Sequence, residues 1–285
     1  TADHTGVSVL SILRSIFPIT NNINPYKLNP NVETFTKIFK SNNFKTVCYF
    51  PDISFFKTLA KQFDNSIIYD YKNRDDYQKH KEKHLEKLVE TINSQNQSKS
   101  LFSFIHLMDL KYPYVIPDKF DNENFGKNRQ DRMLSYLDSM LGKIIKSINL
   151  ENSVIIFSSD HGDYVPPTGK NLNEIPNIQK ILRKLKFAFP SLEFLGIKLF
   201  SLLQNISEKY NRFKEKKNFS EFEQRGFLNR NDIFLFDDTF RVPIIFAGKN
   251  IPNLKISKLI RHVDLFPTIC GLINLNFDER KYDGK

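Results

Sequence analysis

Ser153-Val154-Ile155-Ile156-Phe157-Ser158-Ser159-Asp160-His161-Gly162-Asp163 joins a short apolar run to an adjacent acid and imidazole. The run Ser153 to Ser158 has the length and β-branched content of a strand buried on both faces. In α/β sheets the working residues gather just past the carboxyl ends of strands, which is where Asp160 and His161 fall. Together they offer one ion a hard carboxylate oxygen and an imidazole nitrogen, a pair suited to Zn²⁺ or Mn²⁺. Gly162 lets the backbone turn tightly beside them. Taken alone, Asp-His-Gly is a weak signal, and a strand-end turn with a hydrogen-bonded Asp is the commoner explanation.

Outward from this stretch the pattern repeats. Gln130 to Leu150 carries Met133, Leu137, Met140, Leu141, Ile144 and Ile145 at helical spacing. Before it lie the charged helix Asp75 to Gln95, with Leu85, Leu88, Val89 and Ile92 on one stripe, and the apolar run Ser100 to Leu110. Earlier still, a helix from Val32 to Phe44 leads into the β-type run Lys45 to Phe50, ended by Pro51, and Ile53 to Phe63 reads as another helix. Val242 to Ala247 adds a strand, and Val263 to Ile273 a packed helix. Alternating helices and apolar strands predict an α/β domain: a mostly parallel central sheet flanked by helices on both faces.

Residues 1–285 are expected to form one such domain, a piece of a longer chain. Between Tyr164 and Arg230 no convincing strand occurs, so residues 165–230 are expected to be a helical insertion within it. That insertion is either a plain covering subdomain or a lid or membrane-surface element, because Lys180, Arg183, Lys184 and Lys186 stand beside Phe187, Phe189, Phe194 and Leu195.

Composition narrows the classes. Apolar residues make up 40% and charged residues 26%, and 27 Phe with 11 Tyr are too much aromatic surface for a disordered chain. No apolar run reaches the roughly 18 residues of a membrane-spanning helix. The formal charge of +10 suits an anionic substrate, an anionic membrane surface or a basic surface spread without function. Nucleic-acid binding is not expected, since no recognised motif accompanies the charge. Cys48 and Cys270, far apart in apolar contexts, read as buried free thiols rather than zinc ligands.

Two further stretches carry chemistry. His106-Leu107-Met108-Asp109-Leu110-Lys111-Tyr112-Pro113-Tyr114 follows another strand end; its plain reading is a Pro-bearing loop with a satisfied histidine. Thr5-Gly6-Val7-Ser8 precedes the apolar helical run Val9 to Phe17. A hydroxyl there is either an N-cap or a nucleophile whose anionic target is held by helix-start N–H groups.

Taken in order, these segments resemble the sulfatase branch of the alkaline phosphatase superfamily, which includes sulfatases, phosphodiester hydrolases and the phosphoethanolamine and phosphoglycerol transferases of bacterial envelopes. Thr5 to Ser15 looks like the nucleophile segment, and Phe104 to Asp109 with Pro113-Tyr114 like the substrate loop. Ser159-Asp160-His161-Gly162 is similar to the metal motif, and Leu235 to Ile245 to a strand-entry segment. His262-Val263-Asp264-Leu265-Phe266-Pro267-Thr268 resembles the terminal helix signature, and Asp283-Gly284 a pair that often follows it. Each motif is common by itself; five in this order are specific.

The resemblance implies Thr5 as nucleophile, Asp160 and His161 as ligands of a divalent metal (Zn²⁺ or Mn²⁺ first, Ca²⁺ as a further candidate), and Lys111 as a catalytic cation. His106, Lys111, Arg230 and Asn231 would bind substrate. Sulfatases proper use a formylglycine made from Cys or Ser; Thr5 implies instead phosphoryl transfer through a phosphothreonine. An anionic ester is the expected substrate, with a lipid head group or a glycan as its carrier, and the compartment implied is periplasmic or membrane-anchored and extracytoplasmic. Three departures set up an alternative. The family's first strand with its acidic ligands would lie before Thr1. Lys111 stands where relatives have His, and Asn231 or Asp232 where they have His or Lys, leaving Arg230 as the local cation. The alternative is a non-catalytic sulfatase-like domain that binds an anionic glycan or lipid head group. Oligomeric state is not readable from the sequence.

Overall fold

The computed structural model describes residues 4–17, 33–71, 74–96, 100–111, 114–163, 181, 193–215, 220 and 236–285. The first unit of the chain, residues 1–117, 133–163 and 235–285, is organised around strand β1 (Lys45–Pro51), in which every residue after Lys45 is buried. β1 pairs in parallel with β2 (Asn65–Tyr69) on one side and β3 (Leu101–Ile105) on the other, so the sheet order is β2-β1-β3. A run of Thr46, Val47, Tyr49 and Phe50 suits this central place, because β-branched and aromatic side chains fill both faces of a pleated strand.

Alternation along β1 divides two layers. Cys48 and Phe50 enter a core with Val9, Leu10 and Leu13 of α1 (Thr5–Arg14), Phe35, Phe39 of α2 (Thr36–Ser41) and Phe56 and Leu59 of α3 (Ser54–Ala60). Phe35 stacks on Phe266 at 4.7 Å and Phe39 on Phe102 at 4.3 Å. Tyr49 instead stacks on Tyr69 at 4.7 Å. Helix α4 (Arg74–Asn96) contacts all three strands, burying Lys81, Leu85, Leu88 and Ile92. Helix α5 (Arg129–Lys146) buries Met133, Tyr136, Leu137, Met140 and Ile144. Burying each such side chain contributes roughly 1.5–3 kcal/mol before conformational entropy is charged against it. Within the α4 layer Lys81 pairs with Asp109, both wholly buried, and its ammonium lies 4.6 Å from the centroid of the Tyr136 ring.

The α/β class and its parallel sheet are as the sequence implies, with two differences. β2 was not expected: Asn65 and Ser66 open it, and five residues are too few to show a period. The strands β4 (Ile155–Ser158) and β5 (Ile244–Ala247) pair antiparallel, Ile156 opposite Phe246, and among the described residues no ladder joins them to the three-stranded sheet. β4 is accordingly half-buried rather than buried on both faces, and Ile245 is exposed. The expected helix Val263 to Ile273 begins as a 3₁₀ turn, His262–Asp264, closed by reciprocal bonds between Arg261 and Asp264, and continues as α8 (Leu265–Leu272). Cys48 and Cys270 are free and buried, and burial pushes their thiols up to about 12 and about 11.

A second unit comprises residues 118–132 and 164–234. Its described parts include a short segment in which Asp121 accepts bonds from Arg129 at 2.9 Å and Arg132 at 3.0 Å. They also include helix α6 (Glu193–Glu215). No described helix is long and apolar enough to cross a membrane.

Candidate active site

Thr5 is the first residue of α1, and the N-cap is His4, in extended conformation and without a side-chain cap bond. The Thr5 hydroxyl is therefore not the cap. It lies 3.2 Å from Nε2 of His161, 156 residues away. The first intrahelical bond runs from the Ser8 N–H to the His4 carbonyl, so the preceding N–H groups of α1 have no acceptor within the helix and form an anion-favouring end.

His161 follows β4 by three residues. Its Nδ1 is 2.7 Å from the Gly162 carbonyl oxygen. A carbonyl only accepts, so Nδ1 carries a proton, and in the neutral imidazole Nε2 is the lone-pair nitrogen. That lone pair accepts the Thr5 hydroxyl hydrogen. Asp160 Oδ2 stands 3.6 Å from the same nitrogen. A hydroxyl, a carboxylate and an imidazole nitrogen thus converge. The loop is fixed by the Gly162 N–H donating to Thr239 at 2.8 Å and by Ser159 Oγ donating to the His161 carbonyl at 2.6 Å. Thr239 belongs to the single-turn helix α7 (Asp237–Phe240) that leads into β5.

His106 comes from the end of β3. Burial holds its imidazole down at about 4, against the pull of Asp160 and with a further push from His161, so all three groups share one electrostatic neighbourhood. Tyr69 clamps this loop: its hydroxyl donates to the His106 carbonyl at 2.9 Å and accepts from the Met108 N–H at 3.1 Å. The His106 N–H donates to the Tyr49 carbonyl at 3.0 Å, and the ring packs 4.6 Å from that of Phe56. Three residues further, Asp109 is the partner of buried Lys81. Lys111 is exposed, its N–H bonded to the Met108 carbonyl at 3.1 Å.

A family model described as Sulfatase matches residues 1–275. The chain belongs to the sulfatase family. Among solved structures, its fold is similar to that of the lipoteichoic acid synthase LtaP from Listeria monocytogenes, at 15% identity and a TM-score of 0.60, covering 100% of this chain and 63% of that one. It is also similar to Ps i-CgsB, solved with k-i-k-neocarrahexaose, at 15% identity and a TM-score of 0.58, covering 99% and 65%. A protein of the alkaline phosphatase superfamily from Vibrio parahaemolyticus aligns at 14% identity and a TM-score of 0.54, covering 95% and 55%. The chain spans less than two thirds of the length of these neighbours. No curated protein matches it in sequence.

Against that sulfatase frame, the described residues bring together Thr5, Asp160, His161 and His106. Arg230 and Asn231, with Asp232, lie outside the described residues. Among the described residues no three His, Cys, Asp or Glu side chains form a group able to hold a metal; beside Asp160 and His161 stands the Thr5 hydroxyl. One residue received no role from the sequence although its motif was noticed. His262 is buried, with Nε2 3.3 Å from Ser158 Oγ, and Ser158 in turn donates to the Pro243 carbonyl at 3.1 Å. Burial pushes the His262 imidazole down to about 4, while Asp160 pulls it up. Its place at the head of the terminal signature was the only available signal.

Proposed function

We propose that this sulfatase-family domain acts on an anionic phosphate or sulfate ester through Thr5, with phosphoryl transfer preferred. The observation that carries the reading is the approach of Thr5 Oγ1 to the lone pair of His161 Nε2. In the first step a bond forms between Thr5 Oγ1 and phosphorus while the bond from phosphorus to the leaving alcohol breaks. The Thr5 proton passes to solvent water, and the alcohol departs carrying a proton from water. Water or an acceptor alcohol then displaces Thr5, giving hydrolysis or transfer.

Asp160 and His161 supply two groups of the kind a divalent cation takes, a carboxylate oxygen and an imidazole nitrogen. His161 is held by its Nδ1–H on a backbone carbonyl, the arrangement that orients a metal-ligating imidazole. Asp160 and His161 would hold Zn²⁺ or Mn²⁺, or Ca²⁺, His161 through the Nε2 that faces the Thr5 hydroxyl when no ion is bound; such an ion lowers the pKa of a bound hydroxyl and draws charge from an ester oxygen. The free N–H groups of α1 would receive a non-bridging oxygen, and Lys111 would supply a point charge. His106, neutral and clamped by Tyr69, would line the substrate side, with Arg230 and Asn231 as further contacts. A lipid head group or a glycan is the proposed carrier of the ester, in keeping with the names of LtaP and of the neocarrahexaose complex, and an extracytoplasmic location is the matching proposal.

The test is turnover of an aryl phosphodiester beside an aryl sulfate, with Mn²⁺, Zn²⁺ or Ca²⁺ supplied. The full-length protein is compared with Thr5→Ala. Phosphodiester cleavage lost by at least about a thousandfold in Thr5→Ala, at unchanged melting temperature, is the expected result. Undiminished turnover in that variant refutes the nucleophile. Silence on both esters together with failure to bind metal supports the non-catalytic binding domain instead.

A further inference from the structure

Helix α6 carries an apolar stripe along its outer side. Leu195, Leu199, Leu202, Ile206, Tyr210 and Phe213 recur at spacings of three and four, so they share one helical face. All six are exposed, from 52% for Leu199 to 81% for Phe213. The stripe spans 18 residue steps, about 27 Å at 1.5 Å per step. Lys198 and Lys209, both exposed, lie to one side of it at helical angles about 20–40° beyond its edge. The Lys198 ammonium lies 4.5 Å from the centroid of the exposed Phe194 ring, a cation–π contact on the same helix.

Charge selects the occupant. Residues 164–217 contain 11 Lys and Arg against 4 Asp and Glu, a net +7 out of the chain's +10. A second copy would bring the same positive charge against itself, which opposes self-association. An apolar stripe bordered by cations, in a segment of strong net positive charge, matches a surface that is apolar beneath and anionic above.

We propose that α6 lies on an anionic lipid surface, its Leu195-to-Phe213 stripe entering the boundary between head groups and acyl chains and its lysines meeting phosphates. This binding is independent of the ester chemistry at Thr5.

The chain contains no Trp, which allows a single reporter. In the full chain carrying Phe213→Trp, phosphatidylglycerol vesicles should shift the emission to the blue and brominated acyl chains should quench it. Phosphatidylcholine vesicles should do neither. Cosedimentation with phosphatidylglycerol should weaken at least tenfold in Leu202→Glu/Ile206→Glu, and weaken in wild type as salt rises. Circular dichroism and melting of the double variant separate lost binding from lost folding. No blue shift, or equal pelleting of wild type and double variant, overturns the proposal. So does a concentration-dependent dimer that the double variant abolishes, which assigns the stripe to a second copy. Loss of vesicle binding with intact Thr5-dependent turnover leaves the ester reading standing, and the converse result leaves this one standing.

Discussion

Replacing Lys81 by Met tests the most costly polar contact described. The Lys81 and Asp109 side chains are 0% and 1% exposed, so the value for a surface pair, about 0–1 kcal/mol, does not apply. Met retains the length and most of the volume of the lysine stem, so little cavity is created. What disappears is the ammonium that pairs with Asp109 and lies over Tyr136. Breaking a buried pair from one side costs about 3–5 kcal/mol, because the remaining charge stays out of water. Urea unfolding should therefore show a free energy of unfolding lower by that amount, seen as a lowered midpoint at unchanged slope. Removing both charges in Lys81→Met/Asp109→Leu should return at least about 2 kcal/mol, since a well-packed apolar pair matches a buried ion pair in stability. A single variant that loses less than about 1 kcal/mol, or a double variant no more stable than the single, refutes the reasoning.

Two other outcomes follow from the same geometry. His262 titrates near 4 when folded and near the ordinary 6.5 when unfolded, so between those values the unfolded chain holds more protons and stability rises with pH. The contribution, on the order of 3 kcal/mol, is complete above pH 6.5 and lost as pH falls towards 4; urea midpoints at pH 7 and 4.5 that coincide would contradict it. Gly284 leaves no room for a Cβ, which would run into the Val263 carbonyl oxygen and Ser15 Oγ. Gly284→Ala should cost about 1–3 kcal/mol and lower the melting temperature by several degrees, measured calorimetrically.

The strongly patterned parts of the fold were legible, and the context-dependent parts were not. β1 could be read because Val47 to Phe50 is apolar on both faces, and α5 because its stripe runs through five turns. β2 could not, because Asn65-Ser66-Ile67-Ile68-Tyr69 gains its strand character from the edge of β1 rather than from its own period. The antiparallel sense of β5 was hidden for a similar reason: four apolar residues carry no direction. At the site, Asp160 and His161 were legible by chemistry and position. Thr5 left two readings open, cap or nucleophile; the structure gives the cap position to His4 and sets the Thr5 hydroxyl beside His161. The buried pair Lys81–Asp109 had no sequence signal, since a lysine on a charged helix reads as solvated.

The far end of α1 is held by residues from the other end of the chain. Ser15, in the left-handed conformation, donates its hydroxyl to the Val263 carbonyl, and its own carbonyl accepts from the N–H groups of Asp283 and Gly284. The Asp283 carboxylate accepts from the Phe17 N–H at 2.7 Å. During synthesis the helix bearing Thr5 leaves the ribosome among the earliest of these elements, yet the contacts that fix it leave among the last. Helix α1 has only ten residues, too few to persist alone in water. Helix α1 and its Thr5 are therefore without these contacts until the segment from Val263 to Gly284 has been made.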